Sequence, residues 1–212
     1  LSASPAEVIA IHLTQAIGAN AFPAERYWGH AVPIRFCHDW QGKNRDPQRQ
    51  TEVRLLWTNA KLYVRFRCRY RTIHIFPDAG INGRRNQLWE RDVAEIFLQP
   101  DRFGEKYYKE FEVSPHGQWL DLDISPRGLA HLASGMQSRV ELNRSRRVWT
   151  ADLGIPMPAL TARFLPARSW RVNFFRCEGT GRLRFYSAWQ PTGTAEPNFH
   201  VPEEFGRLRF EP

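Results

Sequence analysis

Leu88-Trp89-Glu90-Arg91-Asp92-Val93-Ala94-Glu95-Ile96-Phe97-Leu98-Gln99-Pro100 is the stretch that decides how this chain is read. From Val93 onward it alternates as a β-strand. Val93, Glu95 and Phe97 point one way, while Ala94, Ile96 and Leu98 form the cleaner apolar face. Glu95 therefore sits in mid-strand, opposite the Ile96 stripe. A carboxylate there has to be solvated, paired or liganded, because burying it alone is very costly. Just upstream, Trp89 and Asp92 place an indole and a second acid beside the strand. The plain alternative is a surface acid paired with one of the many arginines.

Working outward, the β signal repeats. Residues 53–58 read as a strand, Asn59-Ala60 as a tight turn, and residues 61–71 alternate almost without a break. Leu62, Val64, Phe66, Cys68 and Tyr70 face inward, with Lys61, Tyr63, Arg65, Arg67, Arg69 and Arg71 outward. Residues 107–113, 118–124, 139–143, 148–155, 170–177 and 183–189 read as further strands, and Leu208 and Phe210 close a last one. Trp57, Trp149, Trp170 and Trp189 fall on these strands as core residues. Residues 77–87, with Gly80 and Asn82, read as loop, Asp101-Arg102-Phe103-Gly104 as a turn, and residues 125–136 as mostly irregular. Ser4-Pro5-Ala6-Glu7 is a capping-box pattern that predicts a short helix over residues 8–13. A second helical turn is expected over residues 159–164.

Some nine or ten short strands, turn signals at intervals of roughly 8–12 residues and little helix argue for an all-β fold. The expected architecture is a two-sheet antiparallel β-sandwich of the immunoglobulin-like or jelly-roll type, with few short helical turns. The absence of repeats, low-complexity tracts and linkers predicts a single domain over residues 1–212. Residues 1–50 are expected to form a less regular N-terminal extension packed on it.

The 212 residues are 42% hydrophobic and carry a net charge of +8. Of the 30 basic residues, 26 are arginine, a bias toward planar, bidentate contacts with carboxylates or phosphates. No apolar run approaches the roughly 18 residues that span a bilayer, so no membrane partner is expected. The sequence opens at Leu1 without a signal-peptide pattern. Such a start suggests processing, and the expected location is secreted or periplasmic. Cys37, Cys68 and Cys177 cannot all pair with one another. Buried free thiols are expected, with a Cys37–Cys68 bridge left open. The seven histidines are scattered, and no Cys-x-x-Cys or His-x-x-x-His marks a zinc site.

Several blocks together resemble the family 9 carbohydrate-binding modules. Trp89-Glu90-Arg91-Asp92-Val93-Ala94-Glu95-Ile96-Phe97 is similar to that family's W-x-x-D-x-x-E-[IV]-F strand. Phe111-Glu112-Val113-Ser114-Pro115-His116-Gly117, Trp149-Thr150-Ala151-Asp152-Leu153-Gly154-Ile155-Pro156 and Trp170-Arg171-Val172-Asn173-Phe174 follow in the family's order. Ser187-Ala188-Trp189 and Phe205-Gly206-Arg207-Leu208 complete the set. The resemblance implies a β-sandwich without catalysis, gripping a sugar between two aromatic side chains. It puts Trp89 at the first clamp and Glu95 at an acid that hydrogen-bonds sugar hydroxyls. Phe199 stands at the second clamp, where sugar-binding members carry tryptophan, and His200 follows it. Glu112 stands where such members can carry arginine. Structural calcium is a further implication, with Asp121 and Asp123 as its candidate ligands.

The residues are chemically suited to that role. A pyranose offers an apolar C–H face to an aromatic ring and a rim of hydroxyls to acids, amides and arginines. Trp89 supplies the ring, with Asp92, Glu95 and Arg91 within a turn or strand of it. The expectation is therefore non-catalytic binding of an oligo- or polysaccharide by Trp89, Phe199, Glu95, Asp92, Arg91 and His200. Two rivals are carried forward. Glu95 with Glu110 or Glu112, or Asp121 with Asp123, would be the carboxylate pair of a glycoside hydrolase. The outward stripe Arg65, Arg67, Arg69 and Arg71 beside Tyr63 would suit an anionic polymer, either nucleic acid or a uronate glycan. Nucleic acid is not the expected partner, because the other arginines are scattered and no recognised nucleic-acid motif accompanies the stripe.

Overall fold

A computed structural model describes residues 6–77, 83–100 and 105–212. Ser4, Pro5, Gly80, Asn82 and the Asp101–Gly104 turn lie outside the described residues. The strands are β1 (Glu7–His12), β2 (Ile34–Phe36), β3 (Thr51–Trp57), β4 (Lys61–Arg69), β5 (Val93–Gln99), β6 (Tyr108–Val113) and β7 (Trp119–Ser125). They continue as β8 (Gly128–His131), β9 (Gln137–Asn143), β10 (Val148–Pro156), β11 (Trp170–Glu178), β12 (Phe185–Ala188) and β13 (Gly206–Glu211). Two single-turn helices, α1 (Glu25–Trp28) and α2 (Met157–Leu160), complete the set.

The fold is β-rich, as its alternating segments require. Its strands hydrogen-bond as one continuous mixed sheet in the order β8-β7-β6-β5-β11-β13-β1-β3-β4-β10-β9, with β12 added to β11 and β2 to β3. Two separate antiparallel sheets were expected. The joint between the halves is β1, which runs parallel to both β13 and β3. The predicted helix over residues 8–13 is thus a strand. Local capping favoured a helix there, but residues 7–11 pair with β13 and residues 10–12 with β3, and those ladders outweigh the local signal. Of residues 1–50, those of β1 lie inside the sheet rather than on it.

The sheet curls so that its halves face each other. Phe66 on β4 meets Phe174 on β11 at 6.2 Å between centroids, although the two strands are not neighbours in the sheet. Between them lies the main core, with Val53, Leu55, Val64, Ile96, Leu98, Phe111, Trp149, Leu153 and Val172 among its buried residues. Two smaller clusters cover the outer faces. Over β3 and β4, Leu13, Trp28 and Ala31 pack on Leu56 and Tyr63. Tyr63, expected on the outside, is buried by that cover. Over β5, β6, β7 and β11, Leu88, Val93, Phe97, Tyr108, Leu122, Phe175, Phe199 and Phe205 form the other cluster. Residues 125–136, expected to be mostly irregular, contain β8, an exposed edge strand paired with β7. All three cysteines are buried free thiols.

Candidate functional site

Strand β5 divides its side chains as the alternation predicts. Ala94, Ile96 and Leu98 enter the main core, while Val93 and Phe97 join the cluster on the other face. On that second face opens a cleft of about 480 Å³. Its deep surface consists of Glu95, Phe97, Glu110, Leu122 and Cys177, all buried. Its walls and rim carry Trp89, Arg91, Arg184, Tyr186, Asn198, Phe199 and His200. Five of the six expected ligand residues, Trp89, Arg91, Glu95, Phe199 and His200, therefore line one concavity. Asp92 does not.

Trp89 sits on a 3-10 turn, Leu88–Glu90, that leads into β5. Gln87 enters the turn with φ +57°, and Leu88 is fully buried, so the turn is pinned at its base. The indole itself is 36% exposed. The turn's free carbonyls need donors, and Arg184 supplies them. Its guanidinium donates to the carbonyl of Glu90 at 2.7 Å and also to that of Trp89. Asp92 points away from the cleft. One carboxylate oxygen accepts from the Gly179 amide at 2.7 Å and the other from the His74 amide at 3.0 Å. Burial pushes its carboxyl above the usual range, and the nearby Arg176 charge and these amides work against that shift.

The cleft floor is acidic and desolvated. Glu95 on β5 is the register partner of Glu112 on β6, and Glu110 lies two residues along on the same face. They are 2%, 0% and 3% exposed respectively. The Cys177 thiol lies 3.7 Å from Glu95 Oε1. Among the described residues, both oxygens of Glu112 and Oε2 of Glu110 have no basic or amide hydrogen-bond donor, and the two carboxyls act on each other. Burial is the main force on all three. It pushes Glu110 up to about 7. Glu95 and Glu112 are raised well above the usual carboxylate range, first by burial and then by their acidic neighbours. Raised in this way, these groups keep protons to higher pH than ordinary carboxyls, and in the protonated form they can donate to a ligand oxygen as well as accept.

Phe199 is held flat against Phe175, with centroids 4.2 Å apart and planes 14° from parallel, and Tyr186 meets it edge-on at 6.2 Å. His200 contacts the Tyr108 hydroxyl through Nδ1 at 2.6 Å, and its ring lies 5.4 Å from Phe97. Partial desolvation, and then Lys106, hold its imidazole below the usual range. Glu110 reaches the cleft on the face of β6 shared with Tyr108, a placement visible in the strand's alternation. Tyr186 and Arg184 arrive through the pairing of β12 with β11, where Cys177 opposes Tyr186, and no local pattern announces that pairing.

Asp121 and Asp123, the two candidate calcium ligands, each face a cationic side chain. Asp121 accepts from Arg84 Nε at 3.2 Å and from the Ser134 amide at 2.7 Å, and Asp123 pairs with Lys109 at 2.9 Å. Among the described residues no group of three or more His, Cys, Asp or Glu side chains is placed to hold a metal ion. The outward basic stripe is also altered by its surroundings. Arg65 pairs with Asp152 and Glu25, and Arg71 with Asp46. Arg67 and Arg69 remain exposed, beside Arg146 and Arg147 in a shallow groove whose aromatic residue, Tyr70, is buried.

Residues 23–211 match the family model described as carbohydrate family 9 binding domain-like. The chain belongs to that family. Its fold is shared by a family 9 carbohydrate-binding module from Caldicellulosiruptor kristjanssonii solved with cellotriose. That likeness has a TM-score of 0.69 at 12% identity and covers 97% of this chain and 94% of the other. A family 9 module from the same organism solved with glucose aligns at a TM-score of 0.66, with 12% identity over 97% and 96% of the two chains. Among sequence relatives, an Arthroderma benhamiae protein named only as extracellular is 26% identical over 77% of this chain and 80% of its own length. A human protein, C4orf33, is 28% identical over 59% of this chain and 62% of its own.

Proposed function

We propose that this family 9 member binds carbohydrate without catalysis, in the cleft between Trp89 and Phe199. The observation that carries the reading is the meeting of a half-exposed indole, a stacked phenyl and buried carboxyls in one concavity of sugar-ring dimensions. Trp89 covers the C–H face of a pyranose. Glu95 and Glu110 exchange hydrogen bonds with its hydroxyls, and Arg91, Asn198 and His200 serve the rim. Related modules are known with cellotriose and with glucose, which makes β-glucans the first ligands to try.

Hydrolysis fits the arrangement poorly. An acid and a base or nucleophile must flank the scissile bond. Here the two acids that line the cleft, Glu95 and Glu110, share its floor, and Glu112 stands beside Glu95 without lining it. The test is calorimetric titration of the wild type and Trp89→Ala against mono- and oligosaccharides. Saturable binding by the wild type, weakened at least roughly tenfold in the variant, is the expected result. No heat with any sugar overturns the proposal, as does steady product release abolished by Glu95→Gln.

A further inference from the structure

Among the described residues eight acids are buried: Asp39, Asp92, Glu95, Glu110, Glu112, Asp121, Asp152 and Glu178. Five of them have strong partners. Asp39 accepts from the amides of Gln41 and Lys43, and Asp92 from those of His74 and Gly179. Asp121 meets Arg84, Asp152 meets Arg65 and Arg139, and Glu178 meets Arg176 and Arg49. Among the described residues, no arginine or backbone amide donates to Glu95, Glu110 or Glu112. A thiol at 3.7 Å is the nearest thing to a donor that Glu95 has. This is a chain with 26 arginines. The charge of Arg184 reaches Glu95, but its guanidinium is engaged by the carbonyls of Trp89 and Glu90.

A buried carboxyl left in this state seeks a proton or a cation. Two of the three line the cleft, and Glu110 Oε2 has no basic or amide donor among the described residues although its residue is almost wholly enclosed. The walls above are the rings of Trp89, Tyr186 and Phe199, and aromatic faces attract cations as well as sugar C–H groups. A neutral glucan satisfies the rings and leaves the acids to keep their protons, whereas an ammonium supplies a counter-charge and lets a proton leave to solvent. We infer that the ligand of this cleft is a cationic saccharide built of 2-amino-2-deoxyhexose units, its ammonium set on Glu95 and Glu110 and its ring against Trp89. The inference rests on the sugar-binding reading and names its substrate class.

Calorimetric titration near neutral pH with three oligosaccharides of equal length tests it: glucosamine, N-acetylglucosamine and glucose oligomers. Ethanolamine serves as a non-saccharide ammonium. The expected result is glucosamine oligomers binding at least roughly tenfold more tightly than the other two, with ethanolamine far weaker. Glu110→Gln and Glu95→Gln should each remove most of that preference, lowering the affinity for glucosamine oligomers by a larger factor than the affinity for glucose oligomers. Equal binding of all three sugars overturns this inference and leaves the sugar-binding reading intact. Ethanolamine binding as tightly as the amino sugar overturns the inference, and binding of no sugar overturns both. The selectivity of the wild type decides the matter should a variant fail to fold, which thermal unfolding reports.

Discussion

Glu95 and Glu112 stand opposite each other on β5 and β6, two buried carboxyls side by side without a basic partner. Protonated, they are tolerated; ionised, they repel each other in a low-dielectric setting. Glu110 is raised from its ordinary 4.5 to about 7, and Glu95 and Glu112 shift the same way. Between the unfolded and folded pKa values the native state holds more protons than the unfolded chain, so stability falls as pH rises through that window. His200 is shifted downward and acts in the opposite sense, losing its contribution as pH falls. The melting temperature should therefore be higher near pH 5.5 than near pH 8. Glu112→Gln should flatten that slope and be the more stable protein at the upper end. A wild-type melting curve that does not move between these conditions contradicts the assignment.

Arg184 orders the turn that presents Trp89. Replacing it with alanine frees the carbonyls of Trp89 and Glu90 to water, a small cost to the fold because the side chain lies at the cleft rim. Affinity for the best-bound sugar should fall about tenfold, with the melting temperature nearly unchanged. Arg184→Lys should recover only part of the loss, since a single ammonium cannot fork across two carbonyls. Unaltered affinity in the alanine variant would remove Arg184 from the positioning of Trp89.

Asp92 behaves as the reverse case. Asp92→Ala strands two buried amides, those of His74 and Gly179, and should lower stability by about 2–3 kcal/mol. Chemical denaturation measures that loss. Titration of the folded variant should give a sugar affinity within about twofold of the wild type. A selective loss of binding would mean that Asp92 acts in the cleft after all.

Two tryptophans separate packing from recognition. Trp149 is fully buried in the main core, and its replacement by alanine should cost about 3–5 kcal/mol. Trp89, half-exposed on its turn, should cost less than about 1 kcal/mol while carrying most of the binding loss. Paired denaturation and titration of the two variants check the contrast.

Much of this was legible along the chain because strands with one clean face announce themselves. The hairpin of β3 and β4 and the division of β5 follow from period-two alternation, and Trp89 with Glu95 stood out as an indole beside a mid-strand acid. What local pattern could not supply was tertiary cover and pairing. β1 is apolar on both faces, with Val8 and Ala10 on one and Ile9 and Ile11 on the other, and its capping signal spoke for a helix; its two parallel neighbours come from residues 51–57 and 206–211. Tyr63 alternates outward and is buried only because residues 13–31 fold over it. β8 is exposed throughout and so shows no alternation at all. Asp92 carried no sign of whether it would serve ligand or backbone, because His74 and Gly179 are brought to it by other parts of the chain.

The pairing of Glu7 with Arg207 at the seam of the sheet joins residues 200 positions apart. This contact closes a loop of nearly the whole chain, and its entropy must be met before the two halves can lock. Each half can gather its own hairpins early, but the cleft depends on β11, which β13 joins to β1. Removing the last strand would leave β11 and β1 with bare edges and exposed ladders ready to capture a neighbouring molecule, so clipping at the C-terminus should produce aggregates rather than a smaller binder.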